Sequence, residues 1–412
     1  MDTTKNHVII VGGGASGMLA ALSARRKGAH VTILERNPRI GKKLLVTGNG
    51  RCNFTNINAD ISCFNGTNPK FANSVLTSFC PMETISFFEK LGIAHKVEDL
   101  GKAYPMSDQA SSFLDVFLYE LEEAGINIIC QAFVQNIVKN NDAFLVQLEN
   151  GDSLEGDRVI IAAGGKAMPS TGSDGNGFEL AKNLGHSIID IFPGLVQLKL
   201  EGQFFKRIEG VKIVGTAEIL HINKTVSHDR GDILFANYGV SGPPILQISR
   251  KAGELLHKNQ EVILKISVID TMTKEDLKKI LTTRLQNGPR KTIEFSLVGL
   301  INKRLIPVLL KEAGIKDLKC PAARLSSREL DSIVNMLTDW RFKVRGTKSW
   351  PSAQVTAGGI NTNEINQNTM ESEIIKGLFF AGEIIDIDGQ CGGFNLQWAW
   401  SSGFVAGENA AL

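Results

Sequence analysis

A glycine-rich run near the start of the chain has the spacing of a phosphate-binding turn. Residues 12–17 read GGGASG and fit the pattern G-x-G-x-x-G. In this pattern Gly12 permits a tight turn, Gly14 lets the backbone approach a pyrophosphate, and Gly17 lets the following helix pack closely against the preceding strand. The N-terminus of that helix offers unpaired N–H groups and a partial positive charge to a diphosphate. The run therefore predicts a dinucleotide-binding turn.

The flanking segments predict the elements that such a turn needs. Residues 8–11 are a β-rich run, residues 15–27 an alanine-rich helix and residues 31–34 a second strand. This βαβ order predicts a parallel sheet with helices on its faces. Glu35 ends the second strand, 18 residues after Gly17, where its carboxylate can accept hydrogen bonds from both hydroxyls of a ribose. A glycine-rich turn beside a surface glutamate is the alternative, but the complete order of elements favours dinucleotide binding.

Longer motifs resemble those of one flavoprotein family. Residues 41–56 read GKKLLVTGNGRCNFTN, residues 164–177 read GGKAMPSTGSDGNG, residues 355–360 read VTAGGI, and AGE at 381–383 is followed by GGFNLQ at 392–397. These segments resemble the signatures of bacterial and archaeal NAD(P)/FAD-dependent oxidoreductases. That family includes aminoacetone oxidase-like and bile-acid reductase-like flavoproteins with a glutathione reductase-type FAD fold. The resemblance runs from residue 7 to residue 407 and implies non-covalently bound FAD.

The resemblance also implies which residues bind the cofactor. Lys43 and Arg51 would bring cationic donors to the diphosphate and flavin, and Glu383 would hold ribityl hydroxyls. The helix after Gly393 would direct its N-terminus at the pyrimidine edge of the flavin, where negative charge gathers on reduction. A packing turn or a helix cap is the alternative interpretation of each segment taken singly. The implied set is Gly12, Gly14, Ala15, Ser16, Gly17, Glu35, Arg36, Lys43, Asn49, Gly50, Arg51, Cys52, Asn53, Val134, Ala163, Gly164, Gly382, Glu383, Gly393, Phe394, Asn395, Leu396 and Gln397.

The distribution of motifs and of strand-like and helical segments along the sequence predicts a discontinuous first domain interrupted by an insertion. Residues 1–192 and 350–412 carry the motifs given above and predict an α/β, Rossmann-type FAD-binding domain of the glutathione reductase kind. Residues 193–349 lack a glycine-rich fingerprint and a βαβ rhythm. Strand-like segments up to about residue 270 predict a β-barrel part, and the remainder predicts a helical part.

Composition excludes several other classes of protein. The 45 Lys and Arg against 43 Asp and Glu give a net charge of +2, from which we expect neither a nucleic acid nor an anionic membrane as partner. No export signal is visible, and the six cysteines are scattered, so we expect a cytoplasmic protein with reduced thiols. The histidines and cysteines do not cluster at metal-ligand spacing, and no metal site is expected.

The leading functional hypothesis is an FAD-dependent oxidoreductase that acts on a small organic substrate through hydride transfer at flavin N5. One version is a reductase of an activated double bond that draws on NAD(P)H, which would bind without a second G-x-G-x-x-G turn. The other is an oxygen-using oxidase of amines or amino ketones. A non-catalytic flavin-binding protein that senses redox state or works through partners is the alternative of another class. The sequence identifies no catalytic acid or base, although Tyr104 could face the substrate.

Overall fold

The computed structural model describes residues 6–288 and 290–412, so the first five residues, which enter the expectation about an export signal, lie outside it. The chain forms two compact units, Met1–Phe192 with Ala353–Leu412, and Pro193–Ser352. In the described part of the chain, no helix is both long enough and apolar enough to cross a membrane.

Strands and helices are arranged in runs along the chain, with five consecutive strands between residues 127 and 161 and four consecutive helices between residues 274 and 338. The strands are β1 (His7–Val11), β2 (His30–Glu35), β3 (Thr55–Asn56), β4 (Phe64–Asn65), β5 (His95–Glu98), β6 (Lys102–Pro105), β7 (Asn127–Cys130), β8 (Val134–Asn140), β9 (Ala143–Leu148), β10 (Ser153–Gly156), β11 (Arg158–Ile161), β12 (Ile188–Gly194), β13 (Leu198–Leu200), β14 (Lys212–His221), β15 (Lys224–Ala236), β16 (Gly239–Ser241), β17 (Ile263–Ser267), β18 (Trp340–Thr347), β19 (Val355–Ile360), β20 (Leu378–Phe380) and β21 (Asp388–Gly389). The helices are α1 (Ala15–Arg26), α2 (Ala72–Ser78), α3 (Pro81–Lys90), α4 (Ala110–Glu123), α5 (Asn176–Asn183), α6 (Phe205–Ile208), α7 (Pro243–His257), α8 (Lys274–Gln286), α9 (Ile293–Ser296), α10 (Ile306–Glu312), α11 (Ser327–Thr338) and α12 (Phe394–Ala410).

The first unit is built on a five-stranded parallel sheet with the strand order β20-β11-β1-β2-β7. Strand β1 is a run of branched apolar residues, and all but its first residue are buried, as expected where helices cover both faces of a sheet. Helix α1 connects β1 to β2, so the predicted βαβ unit and parallel sheet are confirmed.

The last helix, α12, packs closely against α1 because two of its residues lack side chains. A Cβ atom at Gly403 would overlap the main-chain oxygen of Ser16, and one at Gly407 would overlap that of Ala20. The C-terminal helix thus shares the buried core with the strand and helix that flank the Gly12–Gly17 turn.

The second unit contains a closed barrel with the strand order β13-β16-β15-β14-β17-β18. The barrel and the helices around it share one apolar core. The sequence predicted a helical part from about residue 271 to residue 349, but Trp340–Thr347 within it forms β18, the strand that closes the barrel. Alternation is the signal for that strand, since Trp340, Phe342 and Val344 are buried while the residues between them are exposed.

Candidate active site

The candidate cofactor residues lie at the carboxyl ends of the central parallel strands. Gly12 follows β1, Glu35 ends β2, Ala163 and Gly164 follow β11, and Gly382 follows β20. In open parallel sheets, ligands bind in the crevice outside this edge. The topology therefore brings together segments that lie up to 370 residues apart in the sequence, from Gly12 to Gly382.

The glycine-rich turn has the geometry that its spacing predicts. Gly12 adopts a φ of 108°, and a Cβ there would lie 2.5 Å from the main-chain oxygen of Ala162. A Cβ at Gly17 would overlap the Gly12 carbonyl oxygen, whereas an ideal Cβ at Gly14 meets no heavy atom within 4 Å. Gly12 and Gly17 are thus required by the protein itself. Gly14 borders open space, which is where a diphosphate would approach the backbone.

Glu35 is nearly buried, with 7% of its surface exposed, and both of its carboxylate oxygens accept hydrogen bonds. Oε2 accepts from the Gly13 N–H at 2.9 Å. Oε1 accepts from the main-chain N–H and the side-chain amide of Asn37 at 2.8 and 2.7 Å. Because each carboxylate oxygen has two lone pairs, Glu35 keeps acceptor capacity for a ribose hydroxyl.

The segment around 164–177 is tied to the end of β2. The Asn37 amide also donates to the Thr171 carbonyl at 3.0 Å, and Arg36 pairs with Asp174. The Arg36 guanidinium lies 4.7 Å from the Phe133 ring centroid. Next to that ring, Val134 begins β8, and its carbonyl accepts from the amide of Asn176 at 3.1 Å. Arg36, which follows Glu35 in the chain, therefore lies next to the segment 133–134.

Lys43 and Glu383, two residues that the sequence assigns to the cofactor, contact each other. The Lys43 ammonium donates to Glu383 Oε2 at 2.6 Å, and Glu383 Oε1 accepts from the Thr356 N–H at 2.8 Å. The Thr356 hydroxyl accepts from the main-chain N–H groups of Lys166 and Ala167 at 2.7 and 3.1 Å. Sequence reasoning gave Thr356 no role, although it lies within the VTAGGI motif. Through its hydroxyl and its main-chain N–H, Thr356 links the 164–177 segment to Glu383.

The loop between β2 and β3 is held in an unusual backbone conformation. Gly48, Asn49, Gly50 and Cys52 all have φ between 56° and 83°, in the left-handed region that favours glycine. Left-handed non-glycine residues such as Asn49 and Cys52 store strain, and such strain clusters at functional sites. The Cys52 thiol is fully buried, and burial raises its pKa to about 12, so it is not a nucleophile at neutral pH.

Arg51, which was expected beside the cofactor, is fixed by protein groups. Its guanidinium binds the carboxylates of Glu98 and Asp108, and its central carbon lies 4.1 Å from the Tyr104 ring centroid. Hydrogen bonds with these carboxylates raise the pKa of Arg51, and Lys96 joins the same network through Asp108. The network holds the strained loop against the β5–β6 hairpin. Tyr104 is largely buried in that hairpin, and burial raises the pKa of its phenol, partly opposed by the Arg51 charge.

Asn53 leaves a buried hydrogen-bond acceptor unpaired in this loop. Its side chain is nearly buried, and its Oδ1 atom has no hydrogen-bond partner. A Cβ at Gly393, which has a φ of 99°, would lie 2.8 Å from this oxygen. The unpaired acceptor therefore lies at the start of α12. A buried acceptor without a partner costs about 1–3 kcal/mol, so a ligand donor there would be favourable.

In the first turn of α12, Asn395 binds the main chain of a neighbouring segment and Gln397 is buried. The Asn395 amide exchanges hydrogen bonds with the main chain of Gly389, each at 2.8 Å. Gln397 is fully buried, and its amide nitrogen donates to Phe79, Thr84 and Ser401, while its oxygen accepts from Thr55. Because Gln397 has no exposed surface, its contribution to a cofactor site would be to fix the start of α12. Phe394 is buried and packs edge-on against Phe64, and Leu396 is half-buried.

These features fit FAD. The open space at Gly14 can accommodate a diphosphate, and the N-termini of α1 and α12 favour negatively charged groups. Asn53 Oδ1 can accept a hydrogen bond from a ligand. In contrast, the described residues contain no group of three His, Cys, Asp or Glu side chains arranged to hold a metal ion.

Comparison with known proteins agrees with this architecture. The family model described as HI0933-like protein Rossmann domain matches residues 6–409. The chain is 38% identical to the 3-dehydro-bile acid delta(4,6)-reductase of Clostridium scindens, over 98% of this chain and 99% of that protein. It is 31% identical to the ribosomal RNA dihydrouridine synthase of Escherichia coli, over 97% of each chain.

Among solved structures, a 3-ketosteroid-delta4-(5alpha)-dehydrogenase from Rhodococcus jostii RHA1 is 16% identical, with a TM-score of 0.49, over all of this chain and 98% of that one. The family match spans nearly the whole chain, including the turn, the sheet and α12. The chain therefore belongs to the HI0933-like family of Rossmann-domain proteins, and the prediction of a flavoprotein oxidoreductase is confirmed.

Proposed function

We propose that this protein is an FAD-dependent reductase that saturates a carbon–carbon double bond conjugated to a carbonyl group in a small organic substrate. The observation that carries the proposal is the 38% identity, over nearly the full length of both chains, to a reductase named for a 3-dehydro-bile acid. Its name describes the reduction of double bonds next to a 3-oxo group. The same class of bond is the natural first substrate to test here.

The residues that would hold FAD in this proposal lie along the carboxyl edge of the sheet. The Gly12–Gly17 turn would receive the diphosphate, Glu35 the adenosine ribose, and Glu383 the ribityl chain. The N-terminus of α12 would face the flavin, with Asn53 Oδ1 accepting a hydrogen bond there. The arrangement would be that of the glutathione reductase type, without a covalent bond to the protein.

Bound FAD would supply a hydride from N5 to the substrate, and NAD(P)H is the proposed source of the electrons. The sequence has only one complete G-x-G-x-x-G turn that follows a strand, so NAD(P)H would bind without a Rossmann domain of its own. The proposed location is a reducing cytoplasm, which is compatible with the six free cysteines.

Saturation of a double bond requires a proton as well as a hydride, and Tyr104 is the proposed donor. Burial keeps its phenol protonated over a wider pH range than usual. Its ring is fixed between the Arg51 guanidinium, at 4.1 Å, and the main chain of the strained loop at Gly48. A phenol held rigidly beside the cofactor loop can deliver its Oη proton to the carbon next to the carbonyl group.

A second candidate function is reduction of uracil within RNA. It is favoured by the 31% identity to the E. coli ribosomal RNA dihydrouridine synthase, which also covers nearly the full length of both chains. Uracil likewise has a double bond conjugated to a carbonyl group, so the two candidates share their chemistry and differ in the size and charge of the substrate.

The test is an anaerobic absorbance titration of the purified yellow protein with NADH and then NADPH, followed by addition of a 3-oxo-4,6-diene steroid. We expect one nucleotide to bleach the flavin and the enone to restore its colour without oxygen. Bleaching by amines together with rapid oxygen uptake would instead support the amine or amino-ketone oxidase. A flavin that neither nucleotide nor amine reduces would support the non-catalytic alternative and overturn the proposal.

A further inference from the structure

The near-neutral charge of the whole chain conceals two units of opposite charge. Residues 193–352 contain 27 Lys and Arg against 16 Asp and Glu, a formal net charge of +11. The remaining residues contain 18 Lys and Arg against 27 Asp and Glu, a net charge of −9. A charge difference of this size between units is typical of proteins with a polyanionic partner. The total of +2, from which no nucleic-acid partner was expected, therefore does not describe the inserted unit.

The excess positive charge of that unit is concentrated in residues 290–328, which we name the basic segment. It holds nine cationic side chains and three acidic ones, Glu294, Glu312 and Asp317. All nine cations are exposed, and within the described residues none of them forms an ion pair with a carboxylate. Elsewhere in the unit, in contrast, cations such as Lys212, Arg230 and Lys265 are paired. The nine are Arg290, Lys291, Lys303, Arg304, Lys311, Lys316, Lys319, Arg324 and Arg328.

Main-chain hydrogen bonds bring the two ends of the basic segment side by side. The Ala322 N–H donates to the Lys291 carbonyl at 2.8 Å, and the Ile293 N–H donates to the Cys320 carbonyl at 3.0 Å. Lys319 and Arg324 are therefore carried beside Lys291, although they lie about 30 residues away in the sequence.

An exposed aromatic ring lies in the same place. Phe295 has 57% of its surface exposed, and the Lys291 ammonium lies 5.9 Å from its ring centroid. It is the one large apolar side chain of the described basic segment with this degree of exposure, while its leucines at 297, 305, 309 and 310 are buried. A lone ring among cations is suited to stack on a base. Membrane docking would need a continuous apolar face on a longer helix, and α9 and α10 have only four and seven residues.

We propose that the basic segment binds a single strand of nucleic acid, with Lys291, Lys319 and Arg324 contacting phosphates and Phe295 stacking on an unpaired base. Phosphate contacts and stacking are the two recurring components of single-strand recognition. The inference goes beyond the proposed reduction of a small enone and deepens the second candidate, in which RNA is the substrate. The binding itself requires neither a reducible base nor electrons from NAD(P)H, so it can be tested apart from either reaction.

The test is fluorescence anisotropy of the full-length, FAD-loaded protein with labelled oligouridine of about 12 nucleotides, and with DNA of the matching sequence, over a series of salt concentrations. We expect both strands to bind. The triple variant Lys291→Gln, Lys319→Gln, Arg324→Gln should lower the salt slope by about 2, because each single-strand phosphate contact contributes about 0.7. Phe295→Ala should weaken binding by roughly 5- to 150-fold at every salt concentration.

The control triple Lys199→Gln, Lys206→Gln, Lys224→Gln removes the same charge from exposed positions of the same unit outside the basic segment. It should bind as the unmodified protein does. Equal weakening by both triples would mean that net charge alone acts, and would overturn the proposal. So would failure of the unmodified protein to bind either strand, or preferential binding to phosphatidylserine vesicles. Flavin content and circular dichroism separate misfolding from lost contacts, and Lys319→Gln alone tests the site if the triple variant does not fold.

Discussion

The substitution Gly14→Ala isolates the proposed diphosphate site from the stability of the fold. At Gly14 the φ angle is −82°, which alanine adopts without strain, and its Cβ would meet no protein atom within 4 Å. The protein without FAD should therefore fold as well as the unmodified chain. It can gain about 0.4–1 kcal/mol, because alanine lowers the conformational entropy of the unfolded state.

The expected cost appears only when FAD binds. A methyl group in a closely packed contact costs about 1–3 kcal/mol, which corresponds to a roughly 5- to 150-fold weaker Kd for FAD. The matched control is Gly17→Ala, where the new methyl group would overlap the Gly12 carbonyl oxygen. That variant should lose 1–3 kcal/mol or more of folding stability before any cofactor is added.

The assay combines urea unfolding of the deflavinated proteins with titration of each by FAD, followed through quenching of flavin fluorescence. If Gly14→Ala binds FAD as tightly as the unmodified protein, the diphosphate does not lie over Gly14 and the interpretation of the turn is wrong. If the apoprotein of Gly14→Ala is destabilised as much as that of Gly17→Ala, protein atoms rather than open space lie next to Gly14.

Three further predictions concern the strained loop and its neighbours. Tyr104→Phe should leave bleaching of the flavin by NAD(P)H intact and slow reoxidation of the flavin by an enone by about 100-fold or more, the usual contribution of a positioned proton donor. Stopped-flow absorbance measures both half-reactions, and equal reoxidation rates in the variant and the unmodified protein would exclude Tyr104 as the donor. Lys43→Met should weaken FAD binding by roughly tenfold or more, because Glu383 loses a charged hydrogen bond. The control Lys42→Met, at a half-exposed neighbouring position, should leave FAD binding unchanged; the fluorescence titration described above measures both variants, and equal Kd values for the two would contradict the role of Lys43. Cys52, with a pKa of about 12, should resist iodoacetamide at pH 8 in the native protein and react after unfolding; peptide mass mapping that finds it alkylated in the folded state would contradict its burial.

The parts of the fold that sequence could predict are those whose signal is local. The Gly12–Gly17 turn, β1, α1, β2 and α12 each carry a periodicity or a glycine pattern within one short window. The β5–β6 hairpin was not predicted because His95–Glu98 is polar and only half-buried, so it lacks the alternation of a typical strand. Trp340–Thr347 was obscured by the helical sequence before it.

The candidate site was predictable as a set of segments but not as a set of contacts. Nothing local in Arg51 shows that Glu98 and Asp108 hold its guanidinium, since those partners lie 47 and 57 residues away. Likewise, the four side-chain hydrogen bonds of Gln397 depend on residues from three separate elements. The uneven charge of the two units was hidden for a different reason, because a sum over the whole chain cancels it.

The discontinuity of the first unit has a consequence for how the protein is made. Strand β20, which completes one edge of the sheet, and α12, which packs on α1, are translated after the whole inserted unit. The 220 residues beyond Phe192 take roughly 10–45 s to synthesise at 5–20 residues per second. During that interval the face of α1 that Gly403 and Gly407 later cover lacks its partner helix. The proposed FAD site at the Gly12–Gly17 turn would therefore be incomplete until α12 has been synthesised.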